Sequence, residues 1–380
     1  KPPAKFISAN DYASNFDDFL NTVETGRPFC FWYGSTEPHR RYEYQAGVNK
    51  GGKSLESISE VPGFWPDNEV VRNDMLDYAF EIEYFDRHLG QMIESLERRG
   101  LLANTIIIVT SDNGMPFPRV KGNCYELANH LPLAIMWPNG IRQPGRHIHD
   151  LVSFIDFAPT FFDAAGIDWK RSGMPDTTGF SLLPVFQNMQ TKPHREFVLI
   201  GKERHDIGRP GDAGYPCRGI LSDDFLLVQN FKTDRWPSGN PETGYLNTDG
   251  SPTKTEVLNL RRDGGSKAFW QACFGKRPAT EFYHLTVDPH CLTNLDADER
   301  YATEQDRLTR LMFETLRSEG DPRVLGQGDQ FDAFPNANPK DRGFYEKYKA
   351  DPSSVRAGWV NPTDFETEPI SDSVAGPDER

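Results

Sequence analysis

Residues 105–114 read TIIIVTSDNG, and this stretch decides the fold. The apolar run 105–110 predicts a buried strand, with Ser111 to Gly114 in the loop that follows it. Upstream, apolar residues recur at helical spacing from Asn73 and stop near Gly100, and the apolar run 28–33 predicts an earlier strand. The order strand, helix, strand predicts a βαβ unit in a parallel sheet, whose functional loops follow the carboxyl ends of the strands.

The rest of the chain carries shorter patterns. Further strands are predicted at 131–137 and 197–200, and a helix at 156–165. From about residue 217, strand-like pieces at 220–221 and 225–230 indicate a second domain on a small antiparallel sheet, followed by a helix at 303–318. We therefore expect a catalytic core at 1–212, a C-terminal subdomain at 213–326 and an extended Pro-rich tail at 327–380.

Composition excludes several classes of protein. The net charge of -14 argues against nucleic acid as a partner, because binding to phosphate needs an excess of Lys and Arg. No run of about 18 apolar residues occurs, so no membrane-spanning helix and no membrane partner are expected. The five cysteines lack CxxC or CxH spacing, which predicts neither a zinc site nor a redox pair.

The pair Asp112-Asn113 places a carboxylate and a carboxamide at the end of a strand. Both are hard oxygen ligands suited to Ca²⁺ or Mg²⁺. The same Asp-Asn-Gly sequence is also common turn chemistry, so spacing alone leaves a plain turn open.

The longer segment SDNGMPFP at 111–118, followed by Lys121-Gly122 and by LPL at 131–133, resembles the sulfatase family. EPHR at 37–40 and FYHL at 282–285 are similar to the sulfamidase-like branch, which includes bacterial enzymes acting on sulfated polysaccharides. The resemblance implies an α/β fold of the alkaline phosphatase-like type. In that fold a mixed, mostly parallel sheet is flanked by helices, with a smaller C-terminal α+β subdomain on an antiparallel sheet.

By this resemblance, Asp112 and Asn113 match two ligands of the family's Ca²⁺, with Mg²⁺ as the alternative. Lys121 matches a cation that contacts the sulfate, and His39 matches an active-site imidazole. A divalent ion and an ammonium would neutralise sulfate oxygens as charge develops. An imidazole can exchange a proton near neutral pH, so His39 and Lys121 are the predicted catalytic residues.

Three further residues are predicted to contact substrate. Arg40 follows His39 directly, and Arg204 and His205 lie where the sulfamidase branch has a His-rich loop facing substrate. A structural ion pair between Arg204 and Asp206 is the alternative for that segment.

The nucleophile of the family is not found in this sequence. Sulfatases convert the Cys or Ser of a Cys/Ser-x-Pro/Ala-x-Arg motif to formylglycine, and none of the five cysteines lies in such a motif. The paired aspartates that complete the calcium site in the family are also absent. We therefore expect an N-terminal segment of roughly a hundred residues or more to accompany this chain as a partner. The resemblance implies a secreted or periplasmic enzyme.

The leading hypothesis is a sulfatase that hydrolyses sulfate esters on a carbohydrate or a sulfated polysaccharide, with a sulfamate as a possible substrate. Two alternatives remain open. One is a phosphate or phosphonate monoester hydrolase, because the same superfamily hosts both reactions. The other is a non-catalytic protein that binds sulfated glycans.

Overall fold

The structure is a computed structural model that describes residues 1–190 and 192–370. The helices within these residues are α1 (Tyr12–Thr22), α2 (Ala46–Asn49), α3 (Glu69–Arg98), α4 (Glu126–Asn129), α5 (Phe157–Ala164), α6 (Leu183–Phe186), α7 (Pro252–Arg262), α8 (Ala268–Phe274), α9 (Ala302–Ser318) and α10 (Phe344–Ala350). The strands are β1 (Ile107–Thr110), β2 (Leu133–Met136), β3 (Phe197–Lys202), β4 (Cys217–Ser222), β5 (Phe225–Asn230) and β6 (Thr280–His284).

The long helix α3 organises the first half of the chain. It begins where the Asn68 side chain accepts a hydrogen bond from the backbone N–H of Val71. Its apolar stripe, including Phe80 and Leu96, is buried against α1 and its surroundings, and its first turns contact α7. The predicted helix at this position is therefore confirmed.

The predicted parallel βαβ unit is wrong. Residues 28–33 form no strand, and β1 pairs with β2 in antiparallel register, Ile107 opposite Met136 and Thr110 opposite Leu133. The segment 28–33 does alternate like a strand, since Phe29, Phe31 and Tyr33 pack on the core around α1 and α3 while Trp32 is 89% exposed. The apolar run predicted a buried strand, but a strand also needs a hydrogen-bonded neighbour, and the described residues supply none.

The antiparallel sheet of the second half is confirmed. Its strands follow one another in the order β3-β4-β5-β6, all antiparallel. One face packs on α9 through Leu308, Met312 and Leu316. The other face buries Tyr125, from the segment that follows Lys121. The sheet therefore lies directly behind the loop that carries Lys121.

The C-terminal residues pack on the body of the molecule. Phe344 of α10 and Val360 join Ile207 and Leu246 in one buried cluster, so the predicted tail contains a helix and is not extended throughout. Residues 371–380 of the predicted tail lie outside the described part of the chain. Among the described residues, no helix combines the length and the apolarity needed to cross a membrane.

Candidate functional site

Arg40 fixes the loop that carries His39. Its side chain is only 5% exposed, and its guanidinium donates to both carboxylate oxygens of Asp74 on α3, at 2.7 and 2.9 Å. It also donates to the backbone oxygen of Pro116 at 2.8 Å and lies 4.4 Å from the ring centre of Phe117. Arg40 therefore joins its own loop to α3 and to the segment that leads to Lys121.

The two predicted catalytic residues meet. Lys121 Nζ lies 3.4 Å from His39 Nε2 and 3.1 Å from Asp249 Oδ2. His39 Nδ1 lies 2.7 Å from the backbone oxygen of Arg40, and because a carbonyl can only accept, Nδ1 carries the proton of a neutral ring. Nε2 then presents a lone pair toward the Lys121 ammonium.

Asp249 is a site residue that sequence reasoning missed. It lies in the loop before α7, far from the other site residues in sequence, and its side chain is 11% exposed. No motif surrounds it, since its neighbours Thr248 and Gly250 belong to a Gly- and Asn-rich stretch that reads as a loop. Only the fold brings its carboxylate to Lys121.

His205 and Asp206 lie beside the same lysine, in the loop after β3. The His205 ring packs on Gly122, where a Cβ atom would come within 2.9 Å of the imidazole. Burial lowers the pKa of His205 to about 4, and the Lys202 and Lys121 ammoniums add to that, so the ring is neutral at pH 7. Burial, with a contribution from Asp249, raises the pKa of Asp206 to about 6.

Arg204 contacts a different part of the molecule. Its guanidinium donates to the backbone oxygens of Asp212 at 3.1 Å and Phe334 at 3.0 Å. The ion pair with Asp206, the alternative prediction for this segment, is not formed among the described residues. The contact with Phe334 instead fastens the C-terminal residues to the loop after β3.

Asp112 and Asn113 lie in the turn after β1, as predicted. The Ser111 hydroxyl donates to the backbone oxygen of Asn113 at 2.7 Å, and the N–H of Gly114 donates to the backbone oxygen of Ala128 at 3.1 Å. Within the described residues, no group of three or more His, Cys, Asp or Glu side chains could hold a metal ion. The exposed Asp112 carboxylate and the Asn113 amide therefore fit two ligands of a hard cation but do not make a full set.

The structure also has an open cavity of about 370 Å³, which is not lined by His39, Lys121, His205 or Asp249 themselves. Its lining includes Arg40 and Gly250, the sequence neighbours of His39 and Asp249, together with Arg41 and Tyr44. That volume is within the range of small-molecule sites in proteins.

Comparison with solved structures defines the class of fold. The chain superposes with a TM-score of 0.58 on yidJ of Bacteroides fragilis, which is named as a sulfatase, covering 83% of this chain and 59% of that one at 17% identity. A Bacteroides thetaiotaomicron structure concerned with glycosaminoglycan metabolism gives the same TM-score and coverage at 19% identity. The fold is thus the alkaline phosphatase-like fold of sulfatases, which confirms the predicted fold class, although both sheets formed by the described residues are antiparallel.

Sequence comparison then identifies the family. The Sulfatase family model matches residues 1–167, and the model of the N-sulphoglucosamine sulphohydrolase C-terminal region matches residues 120–236. Over residues 1–236 the chain therefore carries sulfatase-family sequence, which confirms the resemblance.

Curated relatives point the same way. The chain is 26% identical to human N-sulphoglucosamine sulphohydrolase over 327 residues, covering 78% of this chain and 62% of that protein. It is 26% identical to an ulvan-active sulfatase of Formosa agariphila, covering 73% and 44%, and 40% identical to arylsulfatase K of Bos taurus, covering 43% and 37%. The chain thus spans between 37% and 62% of the lengths of these relatives.

Proposed function

We propose that this chain forms part of a sulfatase that hydrolyses sulfate esters, or sulfamates, on a sulfated carbohydrate. The observation that carries the proposal is the convergence of His39, Lys121, His205 and Asp249 from four separate segments of the chain. Sulfatase relatives whose names refer to sugars, among them an N-acetylglucosamine-6-O-sulfatase of Bacteroides thetaiotaomicron, support a carbohydrate as the substrate.

Lys121 is proposed to bind a sulfate oxygen. Its ammonium is held by Asp249 on one side and faces His39 on the other, so it is fixed before substrate arrives. A positive charge placed in advance stabilises the charge that develops on sulfate oxygens in the transition state. His39 Nε2, the ring nitrogen without a proton, is proposed to take up a proton in the reaction and then to donate it to the leaving sugar oxygen, which returns the ring to its neutral form.

The other predicted residues take different roles in this proposal. The neutral His205 is proposed to bind a sugar hydroxyl, because its ring can donate and accept at pH 7. Arg40 positions His39 through its contacts with Asp74 and Pro116, and Arg204 holds the C-terminal residues in place. Neither guanidinium is proposed to touch substrate.

Asp112 and Asn113 are proposed to hold Ca²⁺ together with ligands from an N-terminal segment that accompanies this chain. The cation would neutralise charge on the sulfate, and a formylglycine in that segment would supply the nucleophile. The exposed Trp32 and the strand-like segment 28–33, which lacks a paired neighbour among the described residues, support a docking surface for such a segment. A secreted or periplasmic location belongs to the same proposal.

The test is turnover of sulfated sugars by the chain together with its proposed N-terminal segment. We expect release of inorganic sulfate, and a decrease in kcat/KM of about 10²- to 10³-fold for Lys121→Ala. The matched control is Lys50→Ala, since Lys50 pairs with Glu43 on the surface, away from the cluster.

Three results would contradict the proposal. Release of phosphate from phosphate or phosphonate monoesters without sulfate release would assign the other reaction. Binding of sulfated glycans without turnover would make the protein a binder. A Lys121→Ala variant as active as Lys50→Ala would remove Lys121 from the site.

A further inference from the structure

Two buried thiols from distant parts of the chain meet behind the candidate site. Cys124 lies just before α4, and Cys217 is the first residue of β4. They are 6% and 2% exposed and belong to one apolar cluster. Both line a cavity of about 10 Å³, which is about the space that one water molecule needs.

The surroundings of this pair favour reaction at Cys217. Lys202 lies opposite Cys217 in the β3–β4 register, and its ammonium donates to the backbone oxygen of Gly122. The pKa of Cys217 is lowered, first by the hydrogen bond from Cys124 and then by the Lys202 charge, which outweigh burial. The thiolate is the reactive form of cysteine, and of the two thiols it is favoured at Cys217.

We propose that Cys124 and Cys217 form a disulfide bond that ties the loop carrying Lys121 to the antiparallel sheet. The oxidant is a disulfide that is itself reduced to two thiols, either a small molecule such as oxidised glutathione or a protein disulfide. The Cys217 thiolate attacks one sulfur of the oxidant and releases the other as a thiol. Cys124, once deprotonated, attacks the Cys217 sulfur and releases the second thiol, so two electrons and two protons pass to the oxidant.

The position of the pair gives the bond a structural role. Cys124 is three residues from Lys121, and Lys202 already holds the same loop through Gly122. A covalent bond to Cys217 would fix that loop to β4. This strand pairs with β3, and β3 leads to His205. The bond would thus hold the two sides of the candidate site at a constant separation.

The other cysteines serve as internal controls. Cys273 donates to the backbone oxygen of Phe64 at 3.4 Å, and burial raises its pKa to about 12. Burial likewise raises the pKa of Cys291 to about 12. Cys30 is exposed. We expect these three to remain thiols. Cys291 belongs to the same apolar cluster as the pair, but it is not among the residues that line the small cavity shared by Cys124 and Cys217.

The experiment is peptide mapping of the full chain produced in an oxidising compartment, such as the bacterial periplasm. The protein is denatured, alkylated without reduction and digested with trypsin, which places Cys124 in residues 122–142 and Cys217 in residues 205–218. We expect these two peptides joined, two hydrogens lighter than their sum, and separated after reduction. The Cys273 peptide, residues 268–276, should carry the alkyl group.

The variant Cys30→Ser should leave the joined peptides unchanged, because the exposed thiol takes no part. Recovery of both Cys124 and Cys217 peptides in alkylated form would overturn the proposal. A link from either residue to Cys273, Cys291 or Cys30 would overturn it as well.

Discussion

Replacing Asp74 by alanine should destabilise the protein far more than a single surface charge would. The Asp74 carboxylate accepts two hydrogen bonds from Arg40, at 2.7 and 2.9 Å, and two from Thr253, at 2.7 Å from its hydroxyl and 3.3 Å from its backbone N–H. Without that carboxylate the Arg40 guanidinium, whose side chain is 5% exposed, keeps its charge in a buried position. Breaking a buried pair in this way costs about 3–5 kcal/mol.

The measurement is equilibrium unfolding in urea, with Asp67→Ala as the matched control. Asp67 also pairs with an arginine near the start of α3, but it is 55% exposed, and an exposed pair contributes about 0–1 kcal/mol. The double variant Arg40→Met/Asp74→Leu should recover part of the loss, because it removes both buried charges. If Asp74→Ala lowers the free energy of unfolding no more than Asp67→Ala does, the buried charge of Arg40 does not need Asp74 as its partner, and the reasoning is refuted.

Two further predictions concern single positions. Burial raises the pKa of Glu81 from 4.5 to about 8, so the protonated side chain stabilises the fold fully below about pH 4.5, and that stability is lost as the pH rises through 8. Glu81→Gln should remove this pH dependence. After allowance for solvent screening, it should raise the free energy of unfolding at pH 8.5 by roughly 2 kcal/mol, measured by urea unfolding across pH. Gly122→Ala should lower the free energy of unfolding by about 1–2 kcal/mol, because its φ is +74°, and should also displace His205. The control Gly52→Ala, at φ +65° with open space around it, should show only this backbone cost and leave turnover unchanged.

Local patterns predicted several elements because each depends on neighbours in sequence, although α1, α7, α8 and β6 were not predicted. Helical spacing located α3 and α9, and alternation located β5, within a few residues of their observed bounds. Pairing depends on residues far apart, and there the prediction of a parallel unit failed. β1 found its partner in β2, and the strand-like segment 28–33 found none among the described residues.

The same contrast between local and long-range information applies to the candidate site. The resemblance selected His39 and Lys121, and the structure places their side chains 3.4 Å apart. Asp249 carries no signal in its own segment, because an aspartate in a Gly-rich loop is common turn chemistry. Arg40 was predicted to contact substrate, and no local pattern indicated that its guanidinium pairs with the buried Asp74.

The cluster around Lys121 draws on two separately built parts of the molecule. His39 is set by the Arg40 contact with α3, whereas His205 is set by β3 and by the small surface of Gly122. A substitution, insertion or deletion in the loop after β3 would change the side chains that lie beside Lys121 without altering the contacts that hold His39. The loop after β3 can therefore vary in sequence and length while the charged centre at Lys121 keeps its His39 neighbour.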